Sequence, residues 1–159
     1  MPDSLQPTLL RSPAQLLAFG FGSGLAPKAP GTVGTLAAVP LYWLLAQLAP
    51  GFYALALVVA FVFGVWICDL ASRQLQVHDH PGIVWDEFVG YWITMFALPV
   101  DWIWALAGFV AFRFFDIIKP WPIGWLDKRV GGGLGIMIDD VVAGVMACAL
   151  LHLALWWLG

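Results

Sequence analysis

The stretch Gly131-Gly132-Gly133-Leu134-Gly135-Ile136-Met137-Ile138-Asp139-Asp140-Val141-Val142-Ala143-Gly144 leads into an apolar run that ends at Leu158. Two adjacent aspartates head a segment without a further Asp, Glu, Lys or Arg. Such a run approaches the roughly 20 residues that a helix needs to cross a ~30 Å hydrocarbon core. A solvated face explains the aspartates poorly, because charge inside a membrane segment costs on the order of 2.5–3.5 kcal/mol on insertion scales. They read as functional. The glycine tract reads as a flexible lead that delivers both acids onto the helix, and Gly144, one turn beyond Asp140, lets another helix approach closely.

The composition fits that start. Of 159 residues, 62% are hydrophobic and 11% charged, whereas a soluble domain carries roughly 45–50% apolar and about 25% charged residues. With ten Trp and eleven Phe, a chain this short could not hide its apolar area in one aqueous core. The bilayer is the expected solvent. A net charge of -3 without a basic run argues against nucleic acid as a partner. Cys68 and Cys148 lie in apolar stretches and read as small buried hydrophobes. Residues 1–12 lack the basic and unbroken apolar regions of a cleavable signal. Residues 1–16 are expected to form a cytoplasmic tail or interfacial segment, and 17–159 one membrane-embedded domain.

Apolar runs cover residues 33–49, 52–70, 88–98, 102–115 and 141–158, each bounded by Pro, Gly or charge. The expected fold is all-α, a polytopic membrane bundle of about five helices with short interfacial segments. The third and fourth runs are short. They span only if Asp86 and Glu87 begin the third helix and Asp116 ends the fourth; a re-entrant pair is the alternative. Alternating helices place the N-terminal tail, both long loops and all seven basic residues on or near one side. By the positive-inside rule that side is cytoplasmic. The acids gather there too, with Asp101 opposite.

Gly20-Phe21-Gly22-Ser23-Gly24 and Pro27-Lys28-Ala29-Pro30-Gly31-Thr32 precede the first run. Backbone N–H groups freed by glycine, a helix start and the Lys28 ammonium would suit a phosphate. A kinked entry loop with Thr32 as helix N-cap accounts for the segment equally well. His78-Asp79-His80 has no third His or Cys at zinc spacing and reads as a solvated loop. Asp86 and Glu87 point about 100° apart on a helix, so one binds while the other supports. Arg113, Asp116 and Lys119 recur at helical spacing on one face before Pro120 and Pro122 stop the helix.

Asp86, Glu87, Asp116, Asp139 and Asp140 therefore converge from three helix ends. So many acids in a partly dry place repel one another unless a cation neutralises them. Oxygen-only ligands select a hard divalent ion, and Mg²⁺ suits best where phosphate completes its shell. Asp86, Glu87, Asp139 and Asp140 are the expected metal ligands; Lys28, Thr32, Arg113 and Lys119 are the expected phosphate ligands. A metal, a cationic clamp and a membrane face together read as phosphoryl chemistry on a lipid headgroup. The competing reading is a cation or lipid transporter with a membrane-face carboxylate site. Acids confined to one end weigh against it, since a pathway needs polar groups at the midplane and on both sides.

Four motifs carry a family resemblance: Gly22-x-Gly24-x-x-Pro27-x-x-Pro30-Gly31-Thr32, Val84-Trp85-Asp86-Glu87-x-x-Gly90, Phe112-Arg113-x-x-Asp116-x-x-Lys119-Pro120-Trp121-Pro122 and Gly135-Ile136-Met137-Ile138-Asp139-Asp140-x-x-Ala143-Gly144. From about residue 17 to 151 the chain resembles the phosphatidylglycerophosphatase A family of bacterial membrane lipid phosphatases. The resemblance implies Mg²⁺-dependent hydrolysis of phosphatidylglycerophosphate to phosphatidylglycerol and phosphate. It also implies a multi-pass protein of the bacterial inner membrane, acting at the cytoplasmic face in phospholipid biosynthesis. Asp86, Asp139 and Asp140 would hold the ion, and Glu87 or Asp116 would deprotonate or orient the attacking water. Other phosphatase chemistries lack their residues: Cys68 stands too near Arg73 for a C-x5-R nucleophile, and no D-x-D-x-[TV] segment occurs.

Overall fold

A computed structural model describes residues 11–159, so the greater part of the tail expected at residues 1–16 lies outside the described residues. Those residues are helical without a strand: α1 (Pro13–Ala18), a 3-10 segment (Gly20–Leu25), α2 (Pro30–Leu45), α3 (Pro50–Leu75), α4 (Trp85–Thr94), α5 (Trp102–Ile118), α6 (Ile123–Arg129) and α7 (Gly132–Leu158). Each apolar run of the sequence overlaps one of the helices α2, α3, α4, α5 and α7. The short α1, 3-10 and α6 elements had no periodic signal of their own.

Local chemistry sets the ends. Pro30 and Pro50 open α2 and α3, where a missing N–H is no loss. The helix α2 thus starts before Thr32, behind Ala29 in the left-handed region, and Thr32 is no N-cap. Asp101 caps α5 by accepting from the Ile103 N–H at 2.9 Å. Lys119, left-handed at φ 52°, ends α5 just before Pro120. The largest departure from expectation is α7. It starts at Gly132, left-handed at φ 69°, and takes in Gly133 and Gly135, so Asp139 and Asp140 lie about two turns inside the helix. Glycine is required there by contact: a Cβ on Gly133 would lie 2.0 Å from the Val65 carbonyl oxygen.

Helices α3 and α7 are the two long and apolar enough to cross a membrane. Their outer faces leave Phe52, Leu55, Val62, Trp66, Leu153 and Trp156 exposed, an arrangement suited to lipid and costly in water. Between them lies α4, buried at every residue except Ile93. With 10 residues it is about 15 Å long, half a hydrocarbon core. The chain beyond it reaches the far end as an irregular tail, where Leu98 and Val100 share a pocket with Leu48 and Pro50.

Aromatic side chains tie this short helix to its neighbours through their polar tips. Trp85 Nε1 donates to the Ala60 carbonyl of α3 at 3.1 Å, Trp92 Nε1 to the Ala38 carbonyl of α2 at 3.1 Å, and Tyr91 OH to the Ala105 carbonyl of α5 at 3.0 Å. Toward α7 the contact is backbone on backbone. A Cβ on Gly144 would lie 2.5 Å from the Gly90 carbonyl oxygen, and one on Gly90 would lie 2.9 Å from that of Asp140.

Gly144→Ala should therefore force the α4–α7 crossing apart, at a cost of about 1–3 kcal/mol. Gly51→Ala, with nothing within 4 Å of the added carbon, should cost nothing. Thermal unfolding in detergent checks both: a lower Tm for the first and an unchanged or higher Tm for the second.

Candidate active site

The α4–α7 crossing brings the first turn of α4, with Asp86 and Glu87, against Asp139 and Asp140 of α7. The last turn of α5 adds Asp116. All five carboxylates are buried, Asp140 to 1% exposure. Ligand oxygens of Asp86, Glu87 and Asp140 lie within 4.8 Å of one another, and so do those of Asp116, Asp139 and Asp140. Asp140 belongs to both groups. These acids border a cavity of about 140 Å³, closed on the other side by Asp79, His80, Pro81 and Ile83 of the α3–α4 loop.

Two cations face the acids. Arg113 pairs with Asp116 one turn along α5 and lies 3.9 Å from Glu87 Oε1. Lys119 Nζ donates to Asp139 Oδ2 at 3.0 Å and lies 3.3 Å from Asp127 Oδ1. Burial works to lower the Lys119 pKa, but the hydrogen bond and charge of Asp139, with Asp127, outweigh it and hold the ammonium above the ordinary lysine range. Lys119 therefore stays charged. Burial also lowers the His80 imidazole, against the opposing charge of Asp79. His80 Nδ1 accepts from the Gly82 N–H at 2.9 Å, so the neutral ring carries its proton on Nε2.

Two cations leave the acids in excess. Glu87 Oε2, Asp139 Oδ1 and Asp140 Oδ2 are buried with no hydrogen-bond partner, whereas buried polar atoms are ordinarily satisfied. A hard cation within either oxygen group would offset that excess. Neither group contains Cys or His, which fits an oxygen-seeking divalent ion and not zinc.

Lys28 and Thr32, expected to meet the phosphate, do not line this cavity. Lys28 is exposed and makes no ion pair or hydrogen bond among the described residues, and the Thr32 N–H donates to the Ala29 carbonyl at 3.0 Å. From that segment it is Gly31 that reaches the site: a Cβ there would lie 2.9 Å from Glu87 Oε1 and 3.2 Å from Arg113 Nη1. The histidine loop is solvated at His78 and Asp79, which are exposed, but His80 is half-buried. Asp79 and His80 line the cavity, and His80 packs on Phe19 at 5.3 Å between ring centroids. Asp127 had no assigned role, since its pairing depends on how α6 turns back toward Lys119. The nearness of His78-Asp79-His80 to Trp85-Asp86-Glu87 was the signal available for the loop.

Known proteins fix the family. Residues 16–155 match the family described as phosphatidylglycerophosphatase A. The chain belongs to the phosphatidylglycerophosphatase A family. The phosphatidylglycerophosphatase A of Escherichia coli (strain K12) is 51% identical over 144 residues, 90% of this chain and 84% of the relative. That of Haemophilus influenzae (strain ATCC 51907 / DSM 11121 / KW20 / Rd) is 44% identical over 158 residues, 98% and 97% of the two chains. A Bacteroides thetaiotaomicron protein named provisionally as a phosphatidylinositol-3-phosphatase is 41% identical over 155 residues, 91% of this chain and 94% of that one. No solved structure matches. In this phosphatidylglycerophosphatase A chain, the family match covers every carboxylate of the cavity.

Because Asp140 is shared by both oxygen groups, Asp140→Asn should weaken divalent-ion binding more than Asp86→Asn or Asp116→Asn. Titration calorimetry with Mn²⁺ should show at least a tenfold loss for Asp140→Asn, and equal losses in all three would remove it from the centre of the site.

Proposed function

We propose that this chain is a multi-pass membrane enzyme that hydrolyses the terminal phosphate of phosphatidylglycerophosphate with Mg²⁺ bound among its buried acids. The observation that carries the reading is the set of unpartnered carboxylate oxygens facing a small cavity beside Arg113 and Lys119. Family membership supplies the substrate class, a phosphomonoester lipid.

The membrane arrangement rests on outward faces and ends. Trp102, Trp156 and Trp157 are exposed at one end of the helices, and Trp121 and Trp125 at the other, which supports two interfacial belts. Residues 17–159 act as one embedded unit, with α4 as a buried half-length helix. The end that holds the acids, Arg113, Lys119, Lys128 and Arg129 faces the cytoplasm by the positive-inside rule.

Asp86, Asp139 and Asp140, supported by Glu87, would hold Mg²⁺, which would neutralise and polarise the phosphate oxygens. Arg113 and Lys119 bind the remaining oxygens as two fixed positive groups. Arg113 suits this role because both of its ion pairs use Nη1 while its buried Nε has no partner among the described residues, so part of the donor fork is uncommitted. Asp116 is engaged by Arg113, so Glu87, with its free Oε2, takes the proton of the attacking water. The new P–O bond forms as the bond to the glycerol oxygen breaks. The leaving alkoxide then recovers the proton from Glu87. Lys28 adds long-range attraction only. A transport reading finds little support: among the described residues, the far-end acid Asp101 is engaged in capping α5.

Phosphate release should be strong from phosphatidylglycerophosphate, weaker from phosphatidylinositol 3-phosphate, and absent with chelator until Mg²⁺ is restored. Release unaffected by chelator would remove the ion from the reaction. Arg113→Ala should lower kcat/KM on the order of 10²–10³-fold, as for loss of a charge-stabilising donor. Lys28→Ala should cost under about tenfold, in keeping with a screened surface charge.

A further inference from the structure

Helices α3 and α7 pack tightly only at the end that holds the acids. There, a Cβ on Gly64 would lie 2.7 Å from Met137 Cε, and one on Gly133 2.0 Å from the Val65 carbonyl oxygen. Farther along, the helices part and leave an apolar groove of about 610 Å³. On α3 its wall is Ala54, Val58 and Phe61; on α7 it is Val141, Val145 and Ala149. Both sets recur every three or four residues, so each is one continuous helix face. Ala54 and Ala149 are the small residues of the two walls. Its floor comes from α4 through Ile93.

We propose that this groove holds one acyl chain of the lipid whose phosphate enters the acidic cavity. The inference rests on the lipid-phosphatase reading given above and deepens it. Three features select an acyl chain over a partner helix. First, from Val141 to His152 the groove follows α7 for about 16 Å, close to the depth of one leaflet of a ~30 Å core. Second, its upper end lies next to the site: Val141 follows Asp140 in α7, and Ile93 lies two turns below Asp86 on the same face of α4. Third, it stays apolar until its far end, where the His152 ring is held at 2.9 Å from the Cys148 carbonyl oxygen. A chain lying here would anchor the lipid beside α7 while its headgroup bends toward Asp140.

A second apolar groove, between α5 and α7, is bordered by Leu106, Val110 and Leu150. It shares no residue with the floor that α4 provides and lacks the direct link to Asp86. It serves as the internal comparison.

The test uses the full chain in nanodiscs, with dipalmitoyl and dihexanoyl phosphatidylglycerophosphate as substrates. Val58→Trp and Ala149→Trp fill the groove from opposite walls. Each should lower the ratio of long-chain to short-chain kcat/KM at least tenfold, chiefly through KM, because a chain too short to occupy the groove has less to lose. Equal losses on both substrates in both variants would overturn the proposal. Direct labelling supplies a readout that needs no turnover. Wild-type protein is irradiated with phosphatidylglycerophosphate bearing a photoreactive acyl chain. The labels should fall on Val58, Val145 or Ala149 and be displaced by unlabelled phosphatidylglycerophosphate but not by phosphatidylcholine. Labels on Leu106 and Val110, or labels that phosphatidylcholine displaces equally, would also overturn it. Absence of phosphate release from either lipid by the wild type would instead sink the phosphatase reading, and the labelling would still judge the groove.

Discussion

The contact between Gly90 and Gly144 is the constraint on which the rest depends. Two backbones meet where side chains would ordinarily keep helices apart, and a carbon added to Gly144 would stand 2.5 Å from a carbonyl oxygen. That closeness has a chemical consequence one turn away. Asp86 and Glu87 on one helix are brought within metal-ligating distance of Asp140 on the other. Thr94 spans the crossing: its hydroxyl lies 2.9 Å from the Gly90 carbonyl oxygen of its own helix and 3.4 Å from that of Gly144 in α7. A wider crossing would leave the same acids in place along the sequence but too far apart to grip one ion.

Electrostatics and the hydrophobic effect are in tension at this point, and the fold separates them by depth. Below the acids, α4 is held by buried aromatic rings whose polar tips all find carbonyl partners. The rings of α4 thus leave none of their own polar tips unpaired, and beside them the Tyr42 hydroxyl of α2, packed on Tyr91, has no hydrogen-bond partner among the described residues. At the acids the opposite holds: unpartnered oxygens remain after Arg113 and Lys119 have made their pairs. Buried charge left uncompensated is strongly unfavourable. The imbalance is therefore a property of the site and not of the core, and under the proposed function a bound cation would offset it.

The short length of α4 links the site to the surrounding lipid. A helix of full span would fill the space between α3 and α7 along its whole length. Because α4 ends at Thr94, the outer helices part beneath the acids and leave an apolar trough open to the bilayer. Headgroup chemistry and chain accommodation thus follow from the same stunted element.

The helical class, the apolar runs and the five carboxylates were legible from sequence, because a charge at the edge of a long apolar run is costly to keep without a partner. The readings that departed from the structure share a different cause. Gly131 to Gly133 looked like a flexible lead, yet Gly132 is left-handed at the start of α7 and Gly133 lies inside the helix, where the Val65 carbonyl and Asp69 of another helix leave no room for a side chain. His80 looked solvated but is half-buried against the cavity, Asp127 carried no signal of its pairing, and Lys28 looked like a phosphate ligand. Whether such a residue faces a cavity depends on where its loop comes to rest against elements distant in the chain. Periodicity and charge determine which segments are helical and which of their residues are costly to bury. Only the tertiary contacts decide which of those residues meet, because loop placement and helix crossing are set by surfaces that no local stretch of sequence contains.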